Sequence, residues 1–233
     1  MNKEEFIKEL EKLNIQLTEE KLKKLDDFYK LLIEKNKVMN LTAITEKNEA
    51  YLKHFYDSLT VCKIINLNQK ISICDLGTGA GFPGIVLKII FPNLELTLVD
   101  SLEKRCKFLQ EVKKELNLDF NIICSRIEEF SINNKEQYDV LISRAVAKTS
   151  IILELGIQAL KIDGFYILMK SNVDEELKNI DNCLKKLDLT LLKKEEFELP
   201  KENSKRTLLM FQKNKSTNDN YPREYSKIKK KNL

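Results

Sequence analysis

Apolar residues recur every three or four positions near the amino terminus: Phe6, Leu10 and Leu13, then Leu22, Leu25, Phe28, Leu31 and Leu32. That spacing keeps one helix face apolar and predicts helices over 3–13 and 19–38. Thr18 followed by Glu19 and Glu20 supplies a capping oxygen and first-turn acids for the second of them. Two shorter helical pieces are expected over 46–52 and 54–65, so residues 1–70 read as a helical preface. From Ile71 the pattern changes to short apolar runs between helical stretches. Strands are expected near 71–76, 95–100, 119–124, 138–143, 164–170, 189–198 and 206–213, with helices near 83–91, 103–116, 126–130, 149–161 and 173–186. This alternation calls for a mainly parallel sheet with helices on both faces. The last two strands are joined by Glu198-Leu-Pro-Lys-Glu-Asn-Ser204, too short for a crossover helix, so they should pair antiparallel.

Four of the six glycines fall between Gly77 and Gly84, in Asp75-Leu-Gly-Thr-Gly-Ala-Gly-Phe-Pro-Gly84, directly after the first expected strand. A strand, a glycine-rich turn and a helix form the first unit of a Rossmann-like α/β fold, where ligands bind beyond the carboxyl ends of the strands. The second strand ends in Asp100, placed to hydrogen-bond a ribose, with Ser101 helping to cap the next helix. An adenosine-containing cofactor follows. Gly79-x-Gly81-x-x-Gly84 also satisfies the dinucleotide pattern, and charge separates the candidates. Asp75 beside a pyrophosphate would cost roughly 1 to 4 kcal/mol at 4 Å, in a dielectric between that of water and about 20. S-adenosylmethionine has no phosphate and brings cationic sulfonium and ammonium groups, so it is favoured over NAD. A terminal antiparallel hairpin on a parallel sheet is typical of the seven-stranded class I methyltransferase fold.

Composition narrows the class. With 233 residues, 42% of them hydrophobic, the chain can bury one sizeable core. The amino terminus lacks the apolar stretch of a signal peptide and no run is long enough to span a membrane, which points to the cytoplasm. Five scattered cysteines without C-x-x-C spacing suggest neither a disulfide framework nor a zinc site, and no metal is expected. The formal charge of +4 is uneven. Residues 213–233 hold seven Lys or Arg against two acids, a net +5 that leaves about −1 on the rest. The chain therefore divides into a helical extension (1–70), a cofactor-binding domain (71–213) and a basic tail (214–233). That tail suits phosphate contact, or is simply solvated.

The chemistry is bounded by what is missing. Cytosine C5 methylation needs a Pro-Cys nucleophile, and there is none; exocyclic amine methylation uses an Asn/Asp-Pro-Pro-aromatic turn, where this chain has Ser143-Arg-Ala-Val146. Guanine N7 needs neither, because its lone pair is available and no proton leaves; positioning and electrostatics suffice.

Seven blocks stand in one order: Asn40-Leu-Thr-Ala-Ile-Thr45, His54-Phe-Tyr-Asp-Ser-Leu59, the glycine loop 75–84, Asp100-Ser-Leu-Glu-Lys-Arg105, Arg126-Ile-Glu-Glu-Phe130, Ile142-Ser-Arg-Ala145 and Tyr221-Pro-Arg223. In these the chain resembles the bacterial small-subunit ribosomal RNA guanine-N7 methyltransferase G family, also called glucose-inhibited division protein B. The resemblance covers nearly the whole chain. It implies N7 methylation of a guanine in the 530 loop of 16S ribosomal RNA, with S-adenosylmethionine as donor and the small ribosomal subunit or its precursor as partner. It also implies cofactor contacts at Gly77, Phe82, Ile127, Glu128 and Arg144. To these the residue-level reading adds Asp75, Gly79 and Asp100. The chain departs from the family after Tyr221-Pro-Arg223, where glycine and proline commonly follow and Glu224-Tyr-Ser stands here.

No residue is marked as a catalytic base. Arg144, at the carboxyl edge of its strand, is the catalytic candidate, with a structural salt bridge as the alternative. Lys170 and Arg206, at strand ends, and Arg223 are candidates for RNA phosphate, or ordinary cations. His54, the single histidine, is expected to link the helical preface to the sheet. A monomer is expected. The competing functions are a methyltransferase of another RNA or of a small molecule, a non-catalytic RNA-binding or assembly protein, and an NAD-dependent oxidoreductase.

Overall fold

Side-chain caps start the first two helices in the computed structural model, which describes residues 1–233. Asn2 and Glu5 cap each other's backbone N–H at α1 (Lys3–Glu11), and Thr18 Oγ1 accepts from the Lys21 N–H at α2 (Glu19–Met39). Helix α2 ends at Asn40 with φ 51°, a left-handed conformation that asparagine tolerates. The Asn36 side chain then steers the chain onward, accepting from the N–H groups of Leu41 and Thr42.

Helix α3 (Lys47–Ala50) continues without a break through a π-helical segment (Tyr51–Tyr56), α4 (Asp57–Leu59) and a 3-10 turn (Thr60–Lys63). The two pieces expected over 46–52 and 54–65 are therefore one run with a widened middle. Such π segments occur often at functional sites. This one carries His54 and leads directly into Asp57.

The remaining elements alternate: β1 (Ser72–Leu76), α5 (Gly84–Ile90), β2 (Glu95–Asp100), α6 (Glu103–Glu115), β3 (Asn121–Cys124), α7 (Ile127–Asn133), β4 (Tyr138–Arg144), α8 (Thr149–Gly156), β5 (Leu160–Lys170), α9 (Asp174–Leu177), α10 (Asp181–Leu187), β6 (Leu189–Glu198), β7 (Lys205–Lys213) and α11 (Tyr225–Lys230). The sheet order is β3-β2-β1-β4-β5-β7-β6. Strands β1 to β5 run parallel, and β7 lies antiparallel between β5 and β6. The order reverses between β1 and β4, and a crevice opens beyond their carboxyl ends. The helix expected over 173–186 is two short helices, and β5 starts at Leu160, ahead of the expected 164.

Alternation along the strands builds two cores. Ile73, Val140, Ile142, Ile167, Met169, Leu208 and Met210 face one side; Cys74, Leu76, Leu141, Tyr166, Leu168, Leu209 and Phe211 face the other. Phe6, Leu10, Leu25, Phe28 and Leu32 belong to the first core, so the helical preface shares its interior with the sheet.

The carboxyl-terminal residues, expected as a basic tail, are anchored against the second core. Gln158 Nε2 donates to the Tyr221 carbonyl (2.7 Å), Ile228 is fully buried, and Asn232 Nδ2 donates to Ser150 Oγ (2.9 Å). Lys213, counted among the tail cations, is buried with Nζ on the carbonyls of Leu160 (2.7 Å) and Ile157 (3.2 Å). Lys227, Lys229, Lys230 and Lys231 remain exposed.

Candidate functional site

The glycine loop is bent by positive φ at Gly77 (71°), Gly79 (61°) and Gly81 (95°), which glycine adopts without strain. Their roles differ. A Cβ at Gly81 would fall 2.2 Å from Ile85 Cδ1, one at Gly77 2.6 Å from Val146 Cγ2, and one at Gly84 2.3 Å from Leu98 Cδ2. A Cβ at Gly79 would meet nothing within 4 Å. Gly77, Gly81 and Gly84 thus serve close packing, whereas Gly79 keeps a space open.

Two carboxylates hold the loop. Asp75 is fully buried beneath it, its Oδ2 accepting from Thr78 Oγ1 (2.7 Å) and the Gly84 N–H (2.8 Å). Its Oδ1 is buried without a partner. Asp100 Oδ2 accepts from the Gly79 N–H (3.0 Å) and Arg105 Nη1 (3.2 Å), and its Oδ1 accepts from the Leu102 N–H (2.9 Å). The helix start expected to draw on Ser101 is held by Asp100 itself: no side chain caps α6 at its first position.

Burial pushes the Asp75 carboxyl up to about 6 from an ordinary 3.8, against the opposing pull of the Thr78 hydroxyl, the Gly84 N–H and the Arg144 charge. Between these values the folded chain keeps a proton that the unfolded chain has released. This group therefore lowers stability progressively as pH rises through that window, and the loss persists above it. Relative to Asp75→Asn, the ligand-free wild-type protein should lose about 2 to 3 kcal/mol of unfolding free energy between pH 3.5 and pH 7. Urea titrations of both proteins across that range measure it; parallel pH profiles would mean that Asp75 titrates alike in the folded and unfolded chain.

Two cavities open at the carboxyl edge of the sheet. The first, about 460 Å³, is lined by Gly77, Gly79, Phe82, Asp100, Ile127, Glu128 and Arg144, with Thr42, Arg105, Leu155 and Tyr225 among the other walls. The second, about 550 Å³, is lined by Asp57, Lys170, Glu176, Phe197 and Arg206, among others. They share His54 and the segment Arg144 to Ala147. Of the sequence-derived cofactor residues, all but Asp75 line the first cavity; Asp75 lies behind the loop.

The shared wall is a stack of charge and rings. The His54 ring lies 4.3 Å from that of Phe82 at 16°, and the Arg144 guanidinium sits 5.1 Å over the same ring. Arg144 Nη1 reaches Asp57 Oδ2 (3.3 Å) and the Lys53 carbonyl (3.2 Å), while Nη2 lies 3.4 Å from His54 Nδ1. A guanidinium only donates, so Nδ1 accepts and the imidazole proton sits on Nε2, 2.8 Å from Thr42 Oγ1. Burial, with the Arg144 charge adding to it, lowers His54 to about 3. The ring is neutral at any working pH.

The basic candidates are already paired. Lys170 Nζ holds Glu176 Oε2 (2.6 Å) and the Ala147 carbonyl (2.6 Å); Arg206 Nε holds Asp57 Oδ1 (3.0 Å). Both line the second cavity. Arg223 does not. Its Nε and Nη2 each reach the fully buried Glu154 carboxylate at 2.7 Å, so its charge is spent inside the protein. Sequence reasoning passed over Asp57, Thr42, Arg105 and Tyr225. A signal existed for the buried acids: Asp57 and Glu154 each stand in an apolar helical stretch, where a carboxylate requires a cation from elsewhere. Tyr225 carried no such signal. No group of three or more His, Cys, Asp or Glu is arranged to hold a metal ion, and no helix is long and apolar enough to cross a membrane.

A family model described as rRNA small subunit methyltransferase G matches residues 21–209. Proteins described as ribosomal RNA small subunit methyltransferase G from Acholeplasma laidlawii and Lysinibacillus sphaericus are 44% and 42% identical to this chain. The alignments cover 95% and 96% of it, and 96% of each relative. Among solved structures, a methyltransferase from Pyrococcus furiosus superposes with a TM-score of 0.55 at 16% identity, covering 79% of this chain and 94% of its own. Aeropyrum pernix fibrillarin with bound S-adenosyl-L-methionine gives 0.53 at 15%, covering 67% and 73%. At such identities the shared feature is the fold, a class I methyltransferase sheet with its terminal antiparallel hairpin.

Proposed function

Because the chain belongs to the rRNA small subunit methyltransferase G family, we propose that it transfers a methyl group from S-adenosylmethionine to N7 of a guanine in the 530 loop of 16S ribosomal RNA. Its partner is then the small ribosomal subunit or a precursor, and its place the cytoplasm. The observation that carries this reading is the pair of cavities meeting at one wall, His54 and Arg144 to Ala147: one lined by the glycine loop and Asp100, the other wide enough for a base.

The first cavity fits the cofactor on two counts. Gly79 leaves room above the backbone, and the partnerless Asp75 Oδ1 beneath the loop favours a cation over a pyrophosphate. Asp100 keeps lone pairs for ribose hydroxyls, Ile127 gives an apolar wall, and Glu128 an acceptor for an amine. When bound, S-adenosylmethionine supplies a methyl group on a positively charged sulfur, which N7 takes with its lone pair and without releasing a proton. Arg144 then serves as a donor at the junction, suited to O6, the acceptor beside N7. Asp57 fixes its orientation, and Lys170 and Arg206 stand in the base cavity for phosphate or base oxygens.

No group has to accept a proton, so single-turnover methylation should be nearly flat from about pH 6.5 to 8.5. His54→Asn should retain most of that rate. A rate that rises with the titration of an ordinary histidine, near 6.5, and collapses in His54→Asn would make His54 a base and sink the mechanism. The overall reading is tested by incubating the protein with labelled S-adenosylmethionine and small subunits from a strain lacking the enzyme, then mapping the labelled nucleotide. Label elsewhere in RNA, or binding of subunits without transfer, would favour another target or an assembly role.

A further inference from the structure

The carboxyl-terminal segment returns to the cofactor cavity. Arg223 is locked to Glu154 on α8 through its side chain and through its own N–H (3.1 Å), and two residues later Tyr225 opens α11. Ile228, fully buried, holds the other side of that short helix. Tyr225 lines the first cavity together with Leu155, the neighbour of Glu154, and Ile127 at the start of α7. Helices α7 and α8, which carry Ile127 and Leu155, pack against each other. Tyr225 keeps 38% exposure, so it is available to a ligand and not spent in the core.

We infer that Tyr225 covers the purine face of the cofactor, so that the carboxyl-terminal segment is a wall of the cofactor site. The inference rests on the cofactor reading given above. Ile127, Ala147 and Leu155 are apolar walls of the same cavity as Tyr225, and Glu128 and Asp100 line it too; on this reading Glu128 is an acceptor for an exocyclic amine and Asp100 for the ribose. An aromatic ring among such walls stacks on a base. The cations Lys227, Lys229 and Lys230 of the same helix are exposed and line neither cavity, so the helix divides its duties by residue. Removing residues 214–233 should then weaken cofactor binding as well as any contact with phosphate, whereas charge alone leads one to expect an effect on RNA only.

Calorimetry with S-adenosylhomocysteine tests this on the full chain. Tyr225→Ala should bind about tenfold more weakly, as expected for loss of one base-stacking ring. Adenosine should show the same factor, and 16S ribosomal RNA affinity should be unchanged. Tyr225→Phe should restore binding, which a role for the hydroxyl would not allow. Tyr225→Trp gives a second readout, because the chain contains no tryptophan: its emission should be quenched as S-adenosylhomocysteine saturates the site. Wild-type affinity in Tyr225→Ala, or unquenched emission at calorimetric saturation of Tyr225→Trp, would overturn the assignment. Absence of binding to the wild-type protein would instead remove the cofactor reading itself.

Discussion

Gly79→Val is expected to give a folded protein with no measurable affinity for S-adenosylhomocysteine. The Cβ position at Gly79 is free of protein atoms within 4 Å and faces the first cavity, so the added branch occupies ligand space and not core space. The cost to the fold is the left-handed φ of 61° for a β-branched residue, about 1 to 3 kcal/mol. Gly81→Val makes the contrasting case. Its Cβ would lie 2.2 Å from Ile85 Cδ1 and 2.7 Å from Cγ1, so it should damage packing before it touches any ligand. Thermal unfolding and calorimetry on the two variants separate these outcomes. Retained binding in a folded Gly79→Val would place the cofactor elsewhere.

Arg144→Ala should lower single-turnover methylation by at least about a hundredfold, the scale of removing one preorganised donor from a reaction centre. It should also destabilise the fold, because Asp57 is 8% exposed and would keep only Arg206 as a charged partner. Breaking a buried pair costs about 3 to 5 kcal/mol; the surviving Arg206 contact puts this one at the lower end. The two effects can be pulled apart. Adding Asp57→Asn to Arg144→Ala removes the half-paired buried carboxylate, leaves Arg206 its Ser204 hydroxyl and Lys205 carbonyl, and should recover part of the stability while leaving methylation lost. If activity returned with stability, Arg144 would be a structural cation and the junction between the cavities would need another donor.

The glycine loop, Asp100 and Arg144 were legible in the sequence because their positions follow from local order. A strand of known period ends, the backbone turns where glycines permit it, and the next side chain emerges at the carboxyl edge. The terminal hairpin was legible for a similar reason, a connection too short to cross the sheet. The π-helical widening at Tyr51–Tyr56 was not, since the same residues also suit an ordinary helix. Nor was the division of labour among the glycines, which depends on Val146, Ile85 and Leu98 arriving from other elements.

The sequence by itself therefore determined the elements, their parallel arrangement and the loop on which a cofactor can rest, because hydrophobic period and turn chemistry act between near neighbours. Only the tertiary structure decided which charges face the site. Arg223 went to Glu154, Arg206 and Arg144 to a common Asp57, and the basic carboxyl end brought a tyrosine to the cleft. A buried carboxylate takes whichever cation the packed fold delivers within hydrogen-bonding reach, and Asp57 and Arg206 are 149 positions apart in the chain. Distance along the sequence carries no trace of that choice; desolvation in the assembled core makes it.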